Sequence, residues 1–221
     1  MNLALFDLDH TLIAGDSDSE WPKFLTQRGL LNEAHQRQSE AYYRQYLDGT
    51  LDIDRFLAFQ LKPLASFERT ELDALHAEYM REHILPIIPD KARAILAAHQ
   101  AAGDVIVIVT ATNRFITEPI ARELGVENLI AIELEQDEAG NFTGRPSGVP
   151  SFRDGKIVRV EAWLAERGET LASYEKVFFY SDSHNDLPLL SRVSHPVAVD
   201  PDSALLAHAT RQGWPVISLR D

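Results

Sequence analysis

Cysteine is missing from this chain altogether. Its absence excludes disulfides, zinc–thiolate sites and thiol catalysis, although it does not fix the compartment. No stretch approaches the roughly 18 apolar residues needed to span a bilayer. The opening Met1-Asn2-Leu3-Ala4-Leu5-Phe6-Asp7 has no basic segment and too short an apolar run for a secretory signal. A membrane is therefore not an expected partner, and the cytoplasm is the expected location. Positive charge is scarce: 21 Lys plus Arg face 34 Asp plus Glu, a net charge of −13. Such a chain repels phosphate backbones unless it has a local basic patch, and none is visible, so nucleic acid is not expected either. A small phosphate remains admissible if a metal ion or a few cations share its site. What is present is ordinary for a globular protein: 221 residues, 45% hydrophobic and 25% charged. That is one large domain, or one domain with an insertion, and it is too apolar for general disorder.

Residues 105–109, Val-Ile-Val-Ile-Val, are β-branched without alternation, the pattern of a central parallel strand buried on both faces. Residues 3–8, 128–132, 177–180 and 196–199 read as further strands. Helical patterns over 90–102, 114–124, 155–167, 187–191 and 202–212 lie between them, with Gly103 and Gly125 at helix-ending positions. Strand and helix alternate from about residue 89 onward, which predicts an α/β fold with a doubly wound parallel, Rossmann-like sheet. Residues 15–86 break the alternation. They contain no good strand but four amphipathic helix candidates, over 21–28, 33–47, 53–60 and 68–83, punctuated by Pro63 and Pro86. The expected organisation is a core of residues 1–14 and 87–221 with an inserted all-helical cap of residues 15–86. Asn141-Phe142-Thr143-Gly144 predicts a small hairpin within the irregular stretch 133–153.

Four groups of residues carry chemistry. Asp7-Leu8-Asp9-His10-Thr11-Leu12 follows the first strand, and ligands of open α/β sheets bind beyond the carboxyl ends of strands. Two acids that close are costly unless a cation neutralises them or one stays protonated; otherwise they merely cap the next element. Thr110-Ala111-Thr112 ends the strongest strand. Its hydroxyls and the following helix-start amides can bind an anion, or one of the threonines simply caps the helix from Arg114. In Ser181-Asp182-Ser183-His184-Asn185-Asp186, the two aspartates would complete an oxygen-rich magnesium site if they met Asp7 and Asp9, or would complement a helix dipole if they did not. Lys156 opens a helix, where it is either solvated or balances a phosphate.

In this order, the four groups resemble the haloacid dehalogenase superfamily of phosphohydrolases over the whole chain. The helical insertion after the first motif resembles the cap of the phosphoserine-phosphatase-like branch. The resemblance implies catalytic roles for Asp7, as the nucleophile that forms an aspartyl-phosphate, and for Asp9, as general acid and then base. It implies Mg²⁺ held by Asp7, the carbonyl of Asp9 and Asp182, with Asp186 orienting the metal's water shell. It implies phosphate contacts from Thr110, Ala111, Lys156 and Asn185. The expected activity is magnesium-dependent hydrolysis of a small phosphorylated metabolite. A phosphotransferase uses the same residues. A receiver-type signalling module also carries an acid cluster, a Thr and a Lys, but its lysine follows the acids and it lacks about 70 inserted residues.

The sequence departs from the family where Ser181-Asp182-Ser183 replaces the usual Gly-Asp-Gly or Gly-Asp-Ser and where His184 replaces a small residue. His184 and His10 are expected to have structural roles. Relatives that take phosphoserine use a glutamate at the position of Asp16 for the amine and a cap arginine for the carboxylate. The arginine is absent near Ala58, with Arg44 and Arg55 as possible replacements. Asp16, Asp18 and Trp21 are therefore expected to set the substrate. The expected substrate carries an amine without an adjacent carboxylate, such as histidinol phosphate, unless these acids only cap and solvate the first cap helix.

Overall fold

The structure is a computed structural model that describes residues 1–220. Seven strands form one sheet: β1 (Leu3–Phe6), β2 (Val105–Asn113), β3 (Asn128–Gln136), β4 (Phe142–Ser147), β5 (Val177–Ser181), β6 (His195–Val199) and β7 (Val216–Ile217), in the order β4-β3-β2-β1-β5-β6-β7. All neighbouring strands pair in parallel except β3 and β4. The sheet is the expected doubly wound, mainly parallel one, with a single antiparallel pair at its edge. The antiparallel edge arises from a turn that Asp137 builds. Its carboxylate accepts from the amides of Ala139 and Asn141, both at 2.9 Å, and Gly140 takes φ 84°. The predicted hairpin exists, but Asn141 ends its turn and Phe142 already belongs to β4.

Both sheet faces are covered, so alternate residues of the central strands enter different cores. Ala4, Phe6 and Ile108 join one cluster; Leu3, Leu5, Val107 and Val109 join the other. Between β1 and β2 the chain is helical only: α1 (Ser17–Gln27), α2 (Glu33–Leu47), α3 (Ile53–Gln60), α4 (Arg69–Tyr79) and then α5 (Asp90–Ala101), which packs on the sheet. The first four helices and the turns Met80–Ile84 and Leu85–Ile87 that follow form the helical cap. After β2 come α6 (Arg114–Glu123), α7 (Asp154–Ala165), the single turn α8 (Leu187–Leu190) and α9 (Ser203–Gln212).

The register of β1 with its neighbours decides where the chemistry lies. Phe6 pairs with Ile108 of β2 and with Tyr180 of β5. Asp7, Thr110 and Asp182 therefore emerge side by side at one end of the sheet. Helix α1 starts at Ser17, four residues before the predicted start. Asp16 caps it, its carboxylate accepting from Ser19 N at 2.7 Å, and Pro22 sits inside it. Among the described residues, no helix is long and apolar enough to cross a membrane.

Candidate active site

The carboxyl end of β1 delivers Asp7 into a buried ion cluster. Lys156, from the first turn of α7, donates to Asp7 Oδ1 at 2.8 Å and to Asp186 Oδ2 at 2.7 Å. Only 2% of Lys156 is exposed, so it is not the solvated helix-start lysine that sequence alone allowed. Asp186 also accepts from Ser181 Oγ at 2.7 Å and makes no helix-capping bond. Burial opposes the charge of Lys156, but Asp186 and Asp7 outweigh it and raise its pKa. Burial, reinforced by Asp186 and Asp9, pushes Asp7 up to about 7 in spite of the lysine. Asp182 is raised as well, by burial and then by Asp7 and Asp186. Its carboxylate has Thr11 Oγ1 at 3.3 Å but, among the described residues, makes no ion pair.

Asp9 is held in a different way, by uncharged donors. Oδ1 accepts from Ser17 N and Ser17 Oγ, both at 2.6 Å; Oδ2 accepts from Thr112 Oγ1 at 2.8 Å and Thr110 Oγ1 at 3.4 Å. Neither threonine caps α6. Asn113 does, accepting from Ile116 N at 3.2 Å. The extension of β2 through Thr112 aims that hydroxyl at Asp9, and Ser17 does the same from the first residue of α1. Both were missed in the sequence, since a serine or threonine beside an acid row reads equally well as a cap.

Above these acids lies a cavity between core and cap. Asp7, Asp9, Ala111, Thr112 and Phe152 form its floor; Tyr42, Tyr43, Tyr46 and Phe56 supply aromatic walls; Asp16, Asp18, Ser19, Ser39 and Gln60 line it from the cap. It spans about 620 Å³ when the open solvent at its mouth is included. Thr110, Lys156, Asn185, Asp182 and Asp186 are not in its lining and stand behind or beside the floor. Asn185 is engaged in a junction between cap and core. Its Nδ2 donates to Tyr46 O at 3.1 Å, its Oδ1 accepts from Arg153 Nε at 3.0 Å, and Arg153 also reaches the carbonyl of Gly49. Tyr46 Oη donates to Ser183 Oγ at 3.3 Å.

Asp16 and Asp18 are enclosed by protein yet keep part of their surface open to the cavity. Burial, then Asp9 and each other, raises Asp16; burial and then Asp9 raise Asp18, to about 7. Among the described residues neither forms an ion pair. Arg44 is exposed, and Arg55 points outward to Asp52 with its side chain 82% exposed, so neither enters the cavity. Trp21 corrects an expectation. It does not line the cavity but is 4% exposed within an aromatic cluster of Phe24, His76, Tyr79 and Phe115, because α1 turns that face toward the core. The two histidines near the site have structural partners: His184 Nδ1 lies 2.7 Å from Asp202 Oδ2, and His10 Nε2 lies 3.0 Å from Tyr43 Oη.

Comparison with known proteins places this arrangement. The family described as haloacid dehalogenase-like hydrolase matches residues 4–191. A histidinol-phosphatase of Neisseria meningitidis is 49% identical over 99% of both chains. A phosphoserine phosphatase of Mycobacterium tuberculosis is 31% identical, covering 98% of this chain and 70% of the relative. A solved protein of unknown function from Bordetella pertussis superposes with a TM-score of 0.93 at 44% identity, covering 99% of this chain and 98% of that one.

Proposed function

The chain belongs to the haloacid dehalogenase-like hydrolases, as a phosphohydrolase of their phosphoserine-phosphatase-like branch, and we propose that it hydrolyses a small phosphomonoester whose far end carries protonated nitrogen, with histidinol phosphate as the substrate. The observation that carries the substrate is the pair Asp16 and Asp18, which line the cavity beyond the catalytic floor with no cation of the protein's own. A ligand ammonium or imidazolium supplies that charge, and the Tyr42, Tyr43 and Phe56 rings offer flat walls for a planar heterocycle. A carboxylate in the same place meets two acids and no arginine. The name of the 49% identical relative agrees with this assignment.

We assign residues 1–14 and 87–221 to a catalytic core and 15–86 to a cap. Asp7 attacks phosphorus, the bond to the ester oxygen breaks, and an aspartyl-phosphate forms on Asp7. Asp9 gives its proton to the departing alcohol oxygen and then takes one from the water that hydrolyses the aspartyl-phosphate. Ser17 and Thr112 orient the Asp9 carboxyl through both steps. Thr110, the backbone at Ala111, Lys156 and Asn185 are assigned to the phosphate oxygens, Thr110 and Asn185 exchanging their bonds to Asp9 and Tyr46 to reach them, and Lys156 keeps Asp7 close to a dianion that it would otherwise repel.

Magnesium fits the donors present. They are all oxygen, and Asp182 is a half-buried acid with which Lys156 makes no ion pair among the described residues, so the cluster is short of positive charge. Among the described residues, no three acids already stand in a ligating arrangement, so binding requires side-chain adjustment. Asp7, the carbonyl of Asp9, and Asp182 would hold the ion, with Asp186 beside its water shell. When bound, it supplies charge neutralisation for the phosphate and the nucleophile. The experiment is phosphate release from a panel of small phosphomonoesters with and without magnesium. Metal-dependent release, fastest from histidinol phosphate, is expected; preference for carboxylate-bearing esters would overturn the assignment.

A further inference from the structure

Gln60, the last residue of α3, is 8% exposed and lines the cavity. Its amide nitrogen faces two acceptors, the carbonyl of Asp18 at 2.8 Å and Asp18 Oδ1 at 3.2 Å. Two acceptors on one side fix the orientation of the amide, since a flipped oxygen there would meet only other oxygens. The carbonyl of Asp18 is free for this bond because Pro22, four residues on in α1, has no N–H to donate to it. The other end of the amide is unsatisfied: Gln60 Oε1 is buried and has no hydrogen-bond partner. An acceptor left so costs stability unless something fills it. Ser39 Oγ, from α2 and also in the cavity lining, is likewise shielded and unpartnered.

The acids and the amide of the cap wall share one character, beside the Ser19 and Ser39 hydroxyls that can also donate. Asp16 and Asp18 are acceptors, and Gln60 commits its donor end to Asp18, which leaves its shielded oxygen without a partner among the described residues. We propose that Gln60 is a specificity-determining residue whose Oε1 accepts an N–H from the distal nitrogen group of the substrate, while its amide N–H₂ holds Asp18 in place to accept a second. This rests on the reading of the enzyme as a phosphatase for nitrogen-bearing esters, and it narrows that reading. The distal group must present at least two N–H donors in different directions, as a protonated imidazole or a primary ammonium does and a quaternary ammonium does not.

The test compares kcat/KM for histidinol phosphate with that for p-nitrophenyl phosphate, which lacks the distal donors, in wild type, Gln60→Met and Gln60→Glu. Gln60→Met removes both the open acceptor and the anchor of Asp18. Loss of hydrogen bonds to a charged group is expected to lower the ratio about ten- to a hundredfold, mainly through KM for histidinol phosphate. Gln60→Glu, able to share a proton with Asp18 and keep an oxygen toward the cavity, should recover part of the ratio. A role in folding alone, or an oxygen satisfied only by water, would leave the ratio unmoved or depress both substrates equally, and either result overturns the proposal. Thermal melting of both variants identifies any that fails to fold, and the remaining variant then decides. If wild type prefers phosphoserine, the underlying reading fails and this inference with it. If wild type prefers histidinol phosphate but the ratio ignores Gln60, the inference alone fails.

Discussion

The acids on the floor of the cavity and those on its cap wall differ in what balances them. At the floor and just behind it, Asp7 and Asp186 share Lys156 at 2.8 and 2.7 Å. On the wall, Asp16 and Asp18 have only uncharged donors, Ser19 N and the amide of Gln60. Around the floor a buried lysine already pairs two of the acids before substrate arrives, which suits groups that must stabilise a transition state. The wall is left short of a cation, and such a deficit destabilises the empty protein and favours a cationic ligand. On the proposed function, one cavity holds a part for chemistry and a part for recognition.

The largest effect should come from the floor. Asp7→Asn keeps the shape and removes the nucleophile, so kcat/KM for every phosphomonoester should fall by several powers of ten, on the order of 10⁴ or more. Steady-state phosphate release checks this, and substantial activity in that variant would break the comparison at its catalytic side. Lys156→Met should act on stability as well. It leaves Asp7 and Asp186 buried without a cation, a loss of about 3–5 kcal/mol by denaturant titration, with activity falling in parallel.

The wall should behave in the opposite sense. Asp18→Asn removes a carboxylate that burial holds at a pKa of about 7. A raised carboxyl pKa means the native state binds the proton more tightly than the unfolded chain. Stability is therefore lost as pH rises from the ordinary carboxylate range through about 7. The variant should melt higher than wild type at pH 8, by on the order of 1 kcal/mol since the group is partly open to the cavity, and the gain should shrink at pH 5. His76 has the reverse sign. Burial pushes it from 6.5 down to about 4, with Nε2 3.0 Å from Ile116 O. Stability is lost as pH falls from 6.5 toward 4, by at most on the order of 3 kcal/mol, and His76→Gln should flatten that limb of the melting profile.

Much of the floor was legible in the sequence because its acids follow short, β-branched or uniformly apolar runs. Such runs become central strands, and their ends are then neighbours by topology. The antiparallel β4 was less legible, since its segment contains Gly144 and Pro146 and reads as irregular. The wall was legible only in part. Asp16 and Asp18 stand out as an acid row, but Trp21 in the same row points into the aromatic core, a consequence of α1 starting at Ser17 and continuing through Pro22. Gln60 carries no sequence signal at all. Its place depends on the packing of α3 against α1, a tertiary contact between residues 42 positions apart.

The account stands most directly on one measurement: the ratio of kcat/KM for histidinol phosphate to that for phosphoserine, determined for wild type and for Asp16→Asn/Asp18→Asn between pH 6 and 8. In wild type the ratio should favour histidinol phosphate and rise with pH, because Asp18 gains its charge as pH passes about 7. In the double variant the ratio should fall about a hundredfold and lose that rise. A wild-type preference for phosphoserine, or a ratio that the double variant leaves unchanged, would contradict the division between a floor that performs the chemistry and a wall that reads the cation.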